Sequence, residues 1–126
     1  MSYIQRYVVT VTTNKKGDGI GYTPAVTGKV SAIHYVKDTS NAYSDGVSVV
    51  VTAEATGETI LEIGDVNASA SFAPRRVTHT TDGSQAYYTF PGHAVRDSIC
   101  LANDRIKIAV SNGGDTKTGT FHVVIE

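Results

Sequence analysis

The chain is a succession of short runs in which apolar and polar residues alternate, each stopped by a cluster of Gly, Asn, Asp or Pro. This pattern limits the possible folds more than any other feature. Successive strand side chains point to opposite faces, so a period of two marks strands with one buried face. Tyr7, Val9 and Val11 alternate with Val8, Thr10 and Thr12 in a run that starts by Tyr3. In the run 28–37, Val30, Ala32, His34 and Val36 share one face, while Ile33 and Tyr35 lie on the other. Both faces are partly apolar, which predicts a central strand or one facing a partner. Val47, Val49, Val51 and Ala53 alternate with Ser48, Val50, Thr52 and Glu54, and Ala55-Thr56-Gly57-Glu58 connects tightly to 59–66. Runs at 75–81, 85–90, 93–101, 105–111 and 117–126 complete the series, with Phe121, Val123 and Ile125 on one face of the last.

Asp45-Gly46, Asp82-Gly83, Pro91-Gly92 and Asn112-Gly113-Gly114-Asp115 supply turn chemistry between runs. Ala102-Asn103-Asp104 reads as the turn of a hairpin. The glycines of Lys16-Gly17-Asp18-Gly19-Ile20-Gly21 also read as turn residues, since no phosphate-cradling helix follows them. Residues 94–110 are the best helical candidate, but Asn103-Asp104 interrupts them and β-branched residues then alternate with charges. Two strands fit better. About eight or nine short strands at this spacing predict an all-β, single-domain antiparallel β-sandwich, jelly-roll-like, over residues 1–126.

Eleven basic and 12 acidic residues give a net charge of -1. That balance argues against electrostatic binding to nucleic acid or to an anionic membrane. Cys100 is the only cysteine, which excludes an internal disulfide and a multi-cysteine zinc site. The first residues, Met1-Ser2-Tyr3-Ile4-Gln5-Arg6, lack the apolar run of a signal peptide. No stretch approaches the roughly 20 apolar residues of a transmembrane helix. Asn67-Ala68-Ser69 matches a glycosylation sequon, read as chance without a secretory signal.

No catalytic, cofactor or metal site is assigned. His34, His79, His93 and His122 lack the short spacings of metal motifs, although a folded sandwich could still gather two or three. Cys100, between Ile99 and Leu101, reads as a small strand hydrophobe. The aspartates sit mainly in turns, and Tyr35, Tyr43, Tyr87, Tyr88 and His93 are the residues a glycan site would use. Arg75-Arg76 is the sharpest charge feature, either a solvated strand start or a pair of donors to a partner's carboxylates. Arg75, Arg76, Ile33 and Tyr35 are the candidate partner-binding residues.

A resemblance runs along the whole chain. It is carried by Val9-Thr10-Val11-Thr12-Thr13, Gly17-Asp18-Gly19, Tyr22-Thr23-Pro24-Ala25-Val26 and Gly28-Lys29-Val30-Ser31-Ala32-Ile33-His34-Tyr35-Val36. Thr52-Ala53-Glu54-Ala55-Thr56-Gly57, Ala73-Pro74-Arg75-Arg76, Thr78-His79, Leu101-Ala102-Asn103-Asp104-Arg105-Ile106-Lys107, Gly113-Gly114 and Lys117-Thr118-Gly119-Thr120-Phe121-His122 continue it. In this order the residues resemble a group of small virion structural proteins of tailed bacteriophages. The resemblance implies a capsid decoration or cement role on the outer shell, with the major capsid protein as partner, while the two apolar faces of Val30 to Val36 predict further copies of the chain (a dimer or trimer) as partners. It implies no cofactor and transfers no catalytic residue. A carbohydrate- or receptor-binding β module on the virion is the alternative, and a small cupin-like enzyme is a third class.

Overall fold

A computed structural model describes residues 4–66, 68–89 and 92–126. Tyr3, the sequon residue Asn67, the strand end at Phe90 and the turn residue Pro91 lie outside them. The strands are β1 (Gln5–Thr12), β2 (Gly19–Tyr22), β3 (Val26–Lys37), β4 (Ser48–Ala53) and β5 (Thr59–Gly64). β6 (Ala70–Phe72), β7 (Arg75–Val77), β8 (Arg96–Asp104), β9 (Ile106–Ser111) and β10 (Thr118–Ile125) follow. The protein is all-β, and every strand pair is antiparallel.

One sheet runs β1-β10-β3-β8-β7, with β6 also on β3; the other runs β2-β9-β4-β5. With β6 and β7 set aside, the eight remaining strands have jelly-roll order, the chain crossing repeatedly from sheet to sheet. β6 and β7 are an insertion between β5 and β8. The core lies between the sheets. Val9 and Val11 from β1, Phe121, Val123 and Ile125 from β10, and Ile99 and Leu101 from β8 face Val49, Val51, Ile106, Ile108 and Val110 from the smaller sheet. Burying an aliphatic side chain of this size stabilises by about 1.5–3 kcal/mol, so the alternating rows hold the sheets together.

Three sequence expectations about the larger sheet and its connections need correction here. Ile33 and Tyr35 are core residues, exposed by only 1% and 2%. The cause is a bulge at Ser31: β10 residues Val124 and Ile125 pair with Ala32 and Val30, so one β3 residue is skipped. One extra residue swaps the faces. Val30 points inward before the bulge, and Ile33 and Tyr35 point inward after it. Next, β8 and β9 are not a hairpin. The chain passes from one sheet to the other at Arg105. Buried Asp104 accepts a bond from the Ala55 amide at 2.9 Å, and the amide of Ile106 donates to Thr23 Oγ1 at 3.0 Å. These bonds fix a corner where a turn was expected. Last, 85–90 forms no extended strand among its described residues. Two isolated bridges, His79 with Gln85 and Tyr87 with Ala94, tie that segment down.

At one end of the core, Tyr35 stacks on Tyr43 with ring centroids 6.0 Å apart and tilts against Phe121 at 5.2 Å. The Tyr43 hydroxyl donates to Val11 O at 2.6 Å, whereas the buried Tyr35 hydroxyl has no hydrogen-bond partner among the described residues. Burial pushes both phenols above their ordinary range. Two tyrosines of the glycan reading are therefore packing residues.

Candidate functional site

β1 and β2 are the outermost strands of their sheets, and they lie together at one flank. Their closeness depends on Gly19 and Gly21. A Cβ at Gly21 would sit 2.6 Å from Cγ1 of Val9, and one at Gly19 would sit 2.9 Å from Cγ1 of Val11. Both distances are too short for carbon atoms in contact. The glycines thus belong to a strand pressed against the facing sheet, not to a turn. With no side chain on its inner face at these positions, β2 carries its bulk outward at Ile20 and Tyr22.

Exposed apolar side chains stand on both strands of the flank, among polar ones on β1. Ile4, Val8, Ile20 and Tyr22 are exposed, from 42% at Tyr22 to 74% at Ile4. Among the described residues no strand pairs with the outer edge of β1 or of β2. Such an edge is a ready template for another chain. Arg105 closes the lower corner. Its guanidinium lies 4.2 Å from the centroid of the Tyr22 ring and forms a bidentate ion pair with Glu54. The hydrogen bond from Arg105 holds the Glu54 carboxyl below the usual range, and Glu54 raises the guanidinium in turn. The ring is thereby held in place while its edge stays open.

The structure separates the four expected partner-binding residues. Ile33 and Tyr35 are inside. Arg75 and Arg76 diverge, as neighbours on a strand must. Arg75 Nη1 donates to Pro74 O at 2.7 Å and to Ser31 O at 3.4 Å, which places the guanidinium on the carbonyls of the β3 bulge. Arg76 pairs with Glu58 at 3.1 Å and ties β7 to the β4–β5 hairpin of the other sheet. Arg76 also lines an open groove of about 410 Å³ with Thr78, His79, Asp97, Ser98 and Cys100. Both arginines have work within the molecule.

Sequence reasoning missed Val8, Ile20 and Tyr22. The available signal was Gly19-Ile20-Gly21-Tyr22, since glycine at alternate strand positions leaves one face bare and marks a close approach of backbone.

No protein-family model matches the chain, and no curated protein does. Among solved structures, the crystal structure of FLHE matches over 99% of this chain and 99% of its own, at 7% identity and a TM-score of 0.47.

Proposed function

We propose that the chain is a structural binding module of a phage virion, a decoration protein that attaches to the outer shell of the head. The observation that carries this reading is the flank where two strand edges without a partner strand lie side by side, with Ile4, Val8, Ile20 and Tyr22 exposed on or beside β1 and β2. The sequence resemblance supplies the setting, and jelly rolls recur in viral capsids and lectins, which is support by analogy of fold. Docking there adds a strand of the shell protein to β1 or β2 and covers Val8 and Ile20. Each added backbone bond contributes about 1 kcal/mol net. Repetition at symmetry-related shell positions multiplies a modest affinity. A further copy of the chain would add at the same edges.

Co-sedimentation with expanded capsids that lack the protein tests the proposal. Saturable binding that falls at least tenfold for the Val8→Lys, Ile20→Lys double variant is expected. A protein that stays in the supernatant at every concentration removes the proposal. The alternative, glycan binding, has its own observation: Tyr87 and Tyr88 are exposed on the insertion, Tyr88 by 75%. Selective capture on a glycan array, lost in Tyr88→Ala, would favour it.

A further inference from the structure

The outer face of the six-stranded sheet carries a row of side chains that starts at Val8 of the flank and runs inward across the sheet. Pairing register sets Val8, His122, His34 and Ser71 side by side across β1, β10, β3 and β6. His34 and His122 are therefore direct cross-strand partners, a placement that holds Cβ atoms about 4.5–5.5 Å apart. Both are half-buried. Nδ1 of His34 lies 2.7 Å from Oγ of Ser71. With Nδ1 engaged, Nε2 is the nitrogen left to face outward chemistry. The rows on either side hold Arg6, Val124 and Ala32, and Thr10, Thr120 and Val36. None of these is a carboxylate that could pair with the imidazoles.

We propose that His34 and His122 form a two-imidazole site for a divalent transition-metal ion, Cu²⁺ ahead of Ni²⁺ and Zn²⁺, with solvent in the remaining positions. Among the described residues no group of three or more His, Cys, Asp and Glu is placed to hold a metal. This site rests on two ligands instead. Imidazole nitrogen suits these three ions, and the order follows their general affinity series. Metal–nitrogen bonds of about 2.0–2.1 Å put two nitrogens on one ion about 3–4 Å apart, a span that facing side chains on adjacent strands can close. Ser71 takes the outer position that orients a metal-binding imidazole through its second nitrogen. The row offers no carboxylate oxygen, so it does not suit Ca²⁺ or Mg²⁺. The antiparallel ladder fixes both backbones before any ion arrives.

The test is isothermal titration calorimetry of the full chain with copper, nickel and zinc chlorides, with electron paramagnetic resonance on the copper sample. One ion per chain is expected, copper tightest, with two nitrogen ligands in the spectrum. His34→Ala and His122→Ala should each weaken binding at least about tenfold and leave one nitrogen, and Ser71→Ala should weaken it about tenfold. His79→Ala, His93→Ala and Cys100→Ser should bind as wild type does. His34→Gln serves if the alanine variant fails to fold, since the amide can still bond Ser71. No heat with any of the three ions, binding retained without either row histidine, or one ion per two chains would overturn the proposal.

Discussion

At one flank of the sandwich, β7 is three residues long, and an ion pair from Arg76 to Glu58 joins it to the hairpin of the opposite sheet. β6, another three-residue strand, covers the part of β3 that β8 does not reach. At the other flank, β1 offers eight regular residues with an unpaired edge, and β2 lies against it through two bare glycines. The first flank shows the devices that discourage strand addition: short edge strands, charges and an inserted segment. The second shows few of them. Within one fold and one core, the difference leaves the second flank as the side whose strand edges carry few such devices.

The close approach of β1 and β2 gives the largest expected effect. Gly21→Val should cost about 3 kcal/mol, the upper range for overpacking, because the new side chain must displace Val9 and Val11. At the opposite flank, Gly64 in β5 has open space where a Cβ would go. Gly64→Ala should therefore be neutral or stabilise by about 0.5 kcal/mol. Urea unfolding of the two variants gives the comparison directly. Equal losses would mean that the flanks are not built differently.

Arg75 and Arg76 should separate next. Arg75→Ala removes donors from the carbonyls at the β3 bulge and should cost about 1 kcal/mol. Arg76 and Glu58 are substantially exposed, so a double-mutant cycle should give a coupling of at most about 0.5 kcal/mol that fades in high salt. A larger coupling for Arg76 than the whole effect of Arg75 would reverse their roles.

The smallest effect belongs to the insertion. Asp82 accepts bonds from the Thr80 hydroxyl, its largest influence, and from the Ser84 amide, which pull its carboxyl down to about 2. Its folded value lies below the unfolded one of about 3.9. Its contribution is thus present above about pH 4 and is lost as pH falls toward 2. Amide exchange or chemical shifts at 80–84 should report that loss without a matching change at β1. A simultaneous change at β1 would show the insertion and the flank to be one cooperative unit.

Much of this architecture is legible in the residues. The alternation of Val9 and Val11, of Val49 and Val51, and of Phe121, Val123 and Ile125 predicts their inward faces correctly. What hides the rest is single-residue geometry. The bulge at Ser31 reverses the faces of β3, and nothing in Lys29-Val30-Ser31-Ala32 announces it. Asn103-Asp104 has the composition of a turn, yet Asp104 is buried as the anchor of a corner between sheets. The flank escaped notice for a related reason. A free strand edge is a property of pairing, and pairing between β2 and β9, 85 or more residues apart in sequence, is not a local signal.

Whether the β1 and β2 edges are the docking side is decided by hydrogen exchange of the chain with and without expanded capsid shells. Docking at these edges should slow amides of Gln5–Thr12 and Gly19–Tyr22 at least tenfold on the shell while those of Thr59–Gly64 and Arg75–Val77 keep their rates. Protection that appears on β5 and β7 and leaves β1 and β2 unchanged would contradict it.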